Sequence, residues 1–110
     1  MVPTVLLENL TATADFVLEA TYVGVPDNIW GQRPMAIVSL FPGAKEGVED
    51  IMNWLNQEGV EKGKITKWML PEYVVITRDI PKTSVGKFDK KAIKEQLDYF
   101  LSRAVKPAKE

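Results

Sequence analysis

A chain of 110 residues, 45% hydrophobic and 26% charged, is long enough for one core and too short for a second of any size. Its net charge of −1, with acidic and basic residues interspersed, excludes the broad positive field that would hold a nucleic-acid backbone or an anionic membrane. Cysteine and histidine are both absent, which excludes Ser-His-Asp and Cys-His triads and leaves carboxylates, lysine, arginine and backbone dipoles for any chemistry.

Pro3 and Thr4 precede Val5, Leu6, Leu7 and Leu10, a pattern that predicts a short helix capped by Thr4 and ending over Thr11 to Asp15. Val17 to Val25 is rich in β-branched and aromatic residues and reads as a strand. Met35 to Leu40 reads likewise. Residues 26–34 between them are expected to form a structured loop, too long for a two-residue hairpin turn. Phe41-Pro42-Gly43 breaks the second strand, and Val48, Ile51, Met52 and Leu55 then recur at helical spacing, with Gly59 as terminator. Tyr73 to Ile80 predicts a third strand between Pro71 and Pro81. Asp89 is placed to cap one final helix, with Ala92, Ile93, Leu97, Phe100 and Leu101 inward and Lys90, Lys91, Lys94 and Glu95 solvated. The tail from Lys106 to Glu110 is expected to fray. Met35, Met52 and Met69 fit core or core-edge positions, Trp54 a helix edge, and Glu8 local hydrogen bonding.

No apolar run approaches the ~20 residues of a membrane-spanning helix. Together with the lack of cysteine this suits a reducing, cytoplasmic setting.

The chemistry-bearing stretch is Asp79-Ile80-Pro81-Lys82-Thr83-Ser84-Val85-Gly86-Lys87-Phe88-Asp89-Lys90-Lys91. Gly86 gives the main chain freedom beside Lys87. Such a loop either presents the lysine to a ligand or is a solvent-facing turn, and residue chemistry alone leaves both open. A phosphate-binding P-loop is excluded. That motif needs glycine five residues before its Gly-Lys pair and Ser or Thr after it, and here Pro81 and Phe88 stand there.

Pro81, Thr83, Gly86 and Lys87, followed by Lys90, resemble the terminal motif of the adenylate-forming superfamily of acyl-CoA synthetases, luciferases and peptide-synthetase adenylation domains. Val23-Gly24-Val25-Pro26-Asp27 with Trp30-Gly31-Gln32-Arg33-Pro34 resembles the same family, and Lys67-Trp68-Met69-Leu70-Pro71 resembles its medium-chain fatty-acid ligases. The resemblance runs from about Val5 to Leu97. It implies an α+β lid domain, a small sheet of about three to five strands with three helices packed on it, occupying residues 1–110 as the single C-terminal domain of a larger ligase.

It also implies an activity: a carboxylic acid and magnesium ATP give an acyl-adenylate, which passes its acyl group to coenzyme A (CoA). Lys87 is then the adenylation lysine and Pro81, Thr83 and Gly86 its supporting loop. Arg33, Lys64, Lys67 and Trp30 are candidates to meet CoA, against the alternative that the three cations are ordinary solvated surface charge. The implied partner is a large N-terminal domain, whose Ser/Thr- and Gly-rich ATP loop this chain lacks, so the fragment alone is expected to be inactive. An aryl-acid ligase, a peptide-synthetase domain and a non-catalytic interaction module using the Trp30 loop or the basic helix are the alternatives. Gln32 stands where the family often carries Glu.

Overall fold

An apolar run as continuous as Met35-Ala36-Ile37-Val38 suits a strand covered on both faces, and the computed structural model, which describes residues 3–107, places it there. Helix α1 (Thr4–Ala12) leads into strand β1 (Val17–Asp27) and strand β2 (Gly31–Leu40). Helix α2 (Val48–Leu55) continues through a wide π-helical turn, Asn56–Val60, and a short 3-10 turn, Lys67–Met69, precedes strand β3 (Tyr73–Ile76). Helices α3 (Lys90–Glu95) and α4 (Leu97–Arg103) close the chain. The sheet order is β1-β2-β3, with β1 antiparallel and β3 parallel to β2.

Side chains alternate across the pleat, so the sheet divides two cores. Ala20, Tyr22, Ala36, Val38 and Val74 face Leu7, Leu10, Ile51 and Leu55 of α1 and α2. Val23, Val25, Met35, Ile37 and Val75 face Ile93 and Phe100 of α3 and α4. The α+β expectation holds, with three strands and four α-helices among the described residues. Met35 and Met52 are buried and Met69 packs at the core edge. Trp54 also sits at the edge, its Nε1 donating to the Leu10 carbonyl and to Thr13 Oγ1, both at 3.1 Å.

Several local expectations are corrected. Pro3 rather than Thr4 stands at the N-cap of α1, and the Thr4 hydroxyl accepts from Lys90 Nζ at 3.3 Å. The 26–34 loop shrinks to residues 28–30, because Asp27 Oδ1 accepts from the N–H groups of Ile29 and Trp30, both at 2.9 Å, and closes the hairpin. Pro26 is tolerated on edge strand β1, and Pro34 precedes the stretch of β2 that pairs with β3. Gly59 does not end a helix. It is buried inside the π-helical turn, where a Cβ would lie 2.6 Å from Leu10 Cδ2 and 2.9 Å from Ile65 Cγ1, so the glycine permits a close approach. Strand β3 stops at Ile76. The Thr77 N–H makes the last bond to the Val38 carbonyl before the chain leaves the sheet.

The final helix is two helices, broken at Gln96 (φ −110°, ψ 28°), which lets Ile93 and Phe100 both reach the sheet. Asp89 caps the first of them, its Oδ1 accepting from the Ala92 N–H at 3.0 Å. Lys90 is not simply solvated, being paired with Glu8 at 2.8 Å. The tail does not fray at Lys106: Val105 exchanges two 2.9 Å backbone bonds with Val74, and Lys106 lies 5.5 Å from the Tyr73 ring. The rest of the tail expectation, residues 108–110, lies outside the described residues. None of the helices is long and apolar enough to cross a membrane, among the described residues.

Candidate functional site

The sequence candidates fall in two places. The first is a tight hairpin between β3 and α3. Lys82 and Phe88 form an antiparallel bridge, the Thr83 N–H donates to the Lys87 carbonyl at 2.7 Å, and the Asp89 N–H donates to the Pro81 carbonyl at 2.8 Å. Gly86 turns the chain with φ +85°, and its N–H donates to the Thr83 carbonyl at 3.0 Å. A Cβ there would meet nothing within 4 Å, so the backbone sign, not packing, calls for glycine. Pro81, Thr83 and Gly86 therefore each shape the turn through the main chain. The Lys87 side chain is exposed to solvent and makes no hydrogen bond or ion pair among the described residues.

The lysines on either side differ. Lys82 Nζ pairs with Glu19 on β1, and Lys90 Nζ pairs with Glu8 on α1. Glu8 Oε2 also accepts from Thr21 Oγ1 and from the Tyr22 N–H, both at 2.9 Å, so it hydrogen-bonds as expected but to strand β1, 13 and 14 residues away, rather than locally.

The second place is a cleft at the β1–β2 turn, enclosing about 350 Å³ and lined by Asp27, Trp30, Arg33, Lys67, Trp68 and Glu72. It unites Trp30, Arg33 and Lys67, whereas Lys64 does not line it. Trp30 and Trp68 are 59% and 51% exposed, and their rings meet edge to face with centroids 4.5 Å apart. Arg33 is not solvated surface charge, being only 5% exposed. Its Nη2 donates to the Trp68 carbonyl at 3.0 Å, its Nε lies 3.5 Å from Glu72 Oε1, and its guanidinium stacks on the Trp68 ring at 4.1 Å. The Ile29 and Trp30 N–H donors, Trp30 foremost, hold the Asp27 carboxyl below its ordinary titration range. Glu72 was not singled out from the sequence, and Trp68, one of three tryptophans that could stack on an adenine, was set behind Trp30 because Trp30 reads as a loop residue. The available signal was a second tryptophan beside a cationic candidate, Lys67.

The two places are anchored at the two ends of β1. Glu19, which anchors the hairpin, and Asp27, which closes the cleft turn, are both on β1. Between them the strand runs roughly 26 Å at a rise of about 3.3 Å per residue.

Residues 6–87 match the family profile of the AMP-binding enzyme C-terminal domain. The long-chain-fatty-acid–CoA ligase of Thermus thermophilus is 36% identical over 98 residues, covering 89% of this chain and 17% of that protein. The 2-methylpropanoate–CoA ligase of Humulus lupulus is 34% identical over 86 residues, covering 76% of this chain and 14% of that protein. Among solved structures, the fatty acyl CoA synthetase of Mycobacterium tuberculosis superposes with a TM-score of 0.73 at 23% identity, over 87% of this chain and 18% of that one, a likeness of fold. The chain belongs to the AMP-binding enzyme C-terminal domain family. It spans less than a fifth of the length of these relatives.

Proposed function

We propose that the chain is the C-terminal catalytic lid of an ATP-dependent fatty-acid–CoA ligase. In this reading a carboxylate oxygen attacks the α-phosphorus of ATP, pyrophosphate leaves, and the CoA sulfur then displaces AMP from the acyl-adenylate. Lys87 serves the first step. Charge concentrates between the incoming carboxylate and the α-phosphate, and an ammonium held there stabilises the transition state more than the separated reactants. Magnesium, which neutralises phosphate charge when bound, enters with the nucleotide in this proposal. The acid pocket and the ATP loop are assigned to a large N-terminal domain, and the chain alone is proposed to be inactive.

The Trp30–Trp68 cleft is assigned to the second step. Two half-exposed indoles beside Lys67 suit an adenine and its phosphates. Arg33, already bonded to Trp68 and Glu72, orients the indole rather than reaching for phosphate.

The observation that carries the reading is that the hairpin is anchored at Glu19 and the cleft turn at Asp27, near the two ends of β1. A rigid body with an ammonium at one end and an aromatic cleft at the other can bring both to a single reaction centre only by turning. The deciding experiment is Lys87→Ala in the full-length parent, with each half-reaction assayed separately. Adenylate formation is expected to fall on the order of 100- to 1,000-fold, with a smaller effect on thioester formation from supplied acyl-adenylate. Equal losses in both steps would overturn the assignment.

A further inference from the structure

Three lysines lie within nine residues of the hairpin and its exit, at positions 82, 87 and 90, and two of them are neutralised. Lys82 Nζ is paired with Glu19 Oε2 and lies 6.0 Å from the centroid of the Phe88 ring, across the base of the hairpin. Lys90 Nζ is paired with Glu8 Oε2 at 2.8 Å and donates to Thr4 Oγ1 at 3.3 Å. Both carboxylates belong to the α1–β1 unit, which is far from the hairpin in sequence and is fixed by the sheet. Of the three ammonium groups, only that of Lys87 has no partner among the described residues.

We propose that Glu19 and Glu8 are positioning residues for Lys87: by pairing with Lys82 and Lys90 they clamp both feet of the hairpin to the sheet, so that the Lys87 ammonium is delivered from a fixed base. The inference rests on the adenylation role given to Lys87 above. Physically the clamp matters more for placement than for folding. The Lys82–Glu19 side chains are 38% and 29% exposed, and ion pairs so wetted contribute little to global stability. The hairpin's apolar ties, Ile80 and Phe88, hold it to the core beneath the sheet, and the two ion pairs add charge-specific ties to α1 and β1 at its two ends. Geometry at a reacting centre is the sensitive quantity, because a displacement of ~1 Å can cost about 100-fold in rate. The pairs also remove two positive charges that would otherwise compete with Lys87 for the same phosphates.

Glu8 also holds β1 through Thr21 and Tyr22, so the cleaner test uses Glu19. In the full-length parent enzyme, Glu19→Gln, Lys82→Gln and the double variant are compared with wild type and with Lys87→Ala. The readouts are ATP–pyrophosphate exchange, thioester formation from supplied acyl-adenylate, and the melting temperature. Each of the three clamp variants is expected to slow exchange by about 3- to 30-fold, short of the loss expected for a full ångström of misplacement. The double variant is expected to be no worse than either single one, since all three remove one pair. Thioester formation and melting temperature are expected to stay at wild-type values. Additive losses, equal losses in both half-reactions, or a fall in melting temperature that tracks the lost rate would show a structural role and overturn the inference. Normal exchange in Glu19→Gln beside an impaired Lys87→Ala would overturn the positioning role alone. Normal exchange in Lys87→Ala would remove the adenylation assignment and this inference with it.

Discussion

The guanidinium of Arg33 lies 4.1 Å from the Trp68 ring centroid and donates to the same residue's carbonyl at 3.0 Å, across 35 positions of sequence. One side chain thereby fixes both the backbone and the ring of the residue that faces Trp30. A planar guanidinium can make the bond and the stack together, which an ammonium cannot.

Truncation of either indole tests the cleft. Trp30→Ala and Trp68→Ala in the parent enzyme are expected to raise the KM for CoA by about 5- to 150-fold, the equivalent of ~1–3 kcal/mol per stacked base. Adenylate formation in the absence of CoA should be unaltered. An unchanged KM in both variants would take the cleft out of the proposal.

Gly59→Ala addresses packing. A helical glycine ordinarily gains ~1 kcal/mol on becoming alanine, yet here the added methyl runs into Leu10 and Ile65 within a buried core. Overpacking of that kind costs about 1–3 kcal/mol, so the net effect is expected to be destabilising in urea unfolding. A more stable variant would show that Gly59 is only a poor helix former.

Tyr22 gives a pH dependence. Burial pushes its phenol above the ordinary value of 10.0, and the nearby Glu8 carboxylate pushes in the same direction. The Thr11 hydroxyl donates to the Leu7 carbonyl at 2.8 Å, so the Tyr22 O–H is the donor in its 2.8 Å bond to Thr11 Oγ1. A folded-state value above the unfolded one means that the native chain keeps a proton the unfolded chain releases. The contribution is therefore complete below about pH 10 and is lost as pH rises beyond it. Tyr22→Phe is expected to cost about 0.5–1.5 kcal/mol at neutral pH. The gap to wild type should narrow above pH 10, and a constant gap through the alkaline range would refute this account.

The parts of the fold written as local patterns were legible in the sequence. The apolar face of α2, the cap at Asp89 and the β-branched runs of β1 and β2 depend on spacing within a few residues. The errors arose where tertiary contact decides. Gly59 reads as a terminator until Leu10 and Ile65 are seen against it, and residues 26–34 read as a loop until Asp27 is seen to close the turn. The break at Gln96 has no turn residue to announce it; it follows from the need of Ile93 and Phe100 to pack on one sheet. For the site, Gly86 beside Lys87 left a ligand-facing loop and a solvent-facing turn both open, so Lys87 was singled out by the resemblance, and Trp30 by its place in a polar turn. The part played by Trp68, and the burial of Arg33, required knowing that residues 33 and 68 meet.

The distance along β1 between the hairpin and the cleft has a kinetic consequence on the proposed roles. An agent that pins the aromatic end at the reaction centre keeps the cationic end away from it. High CoA should then retard acid activation with neither ligand entering the other's pocket, an antagonism of occupancy in time rather than in space.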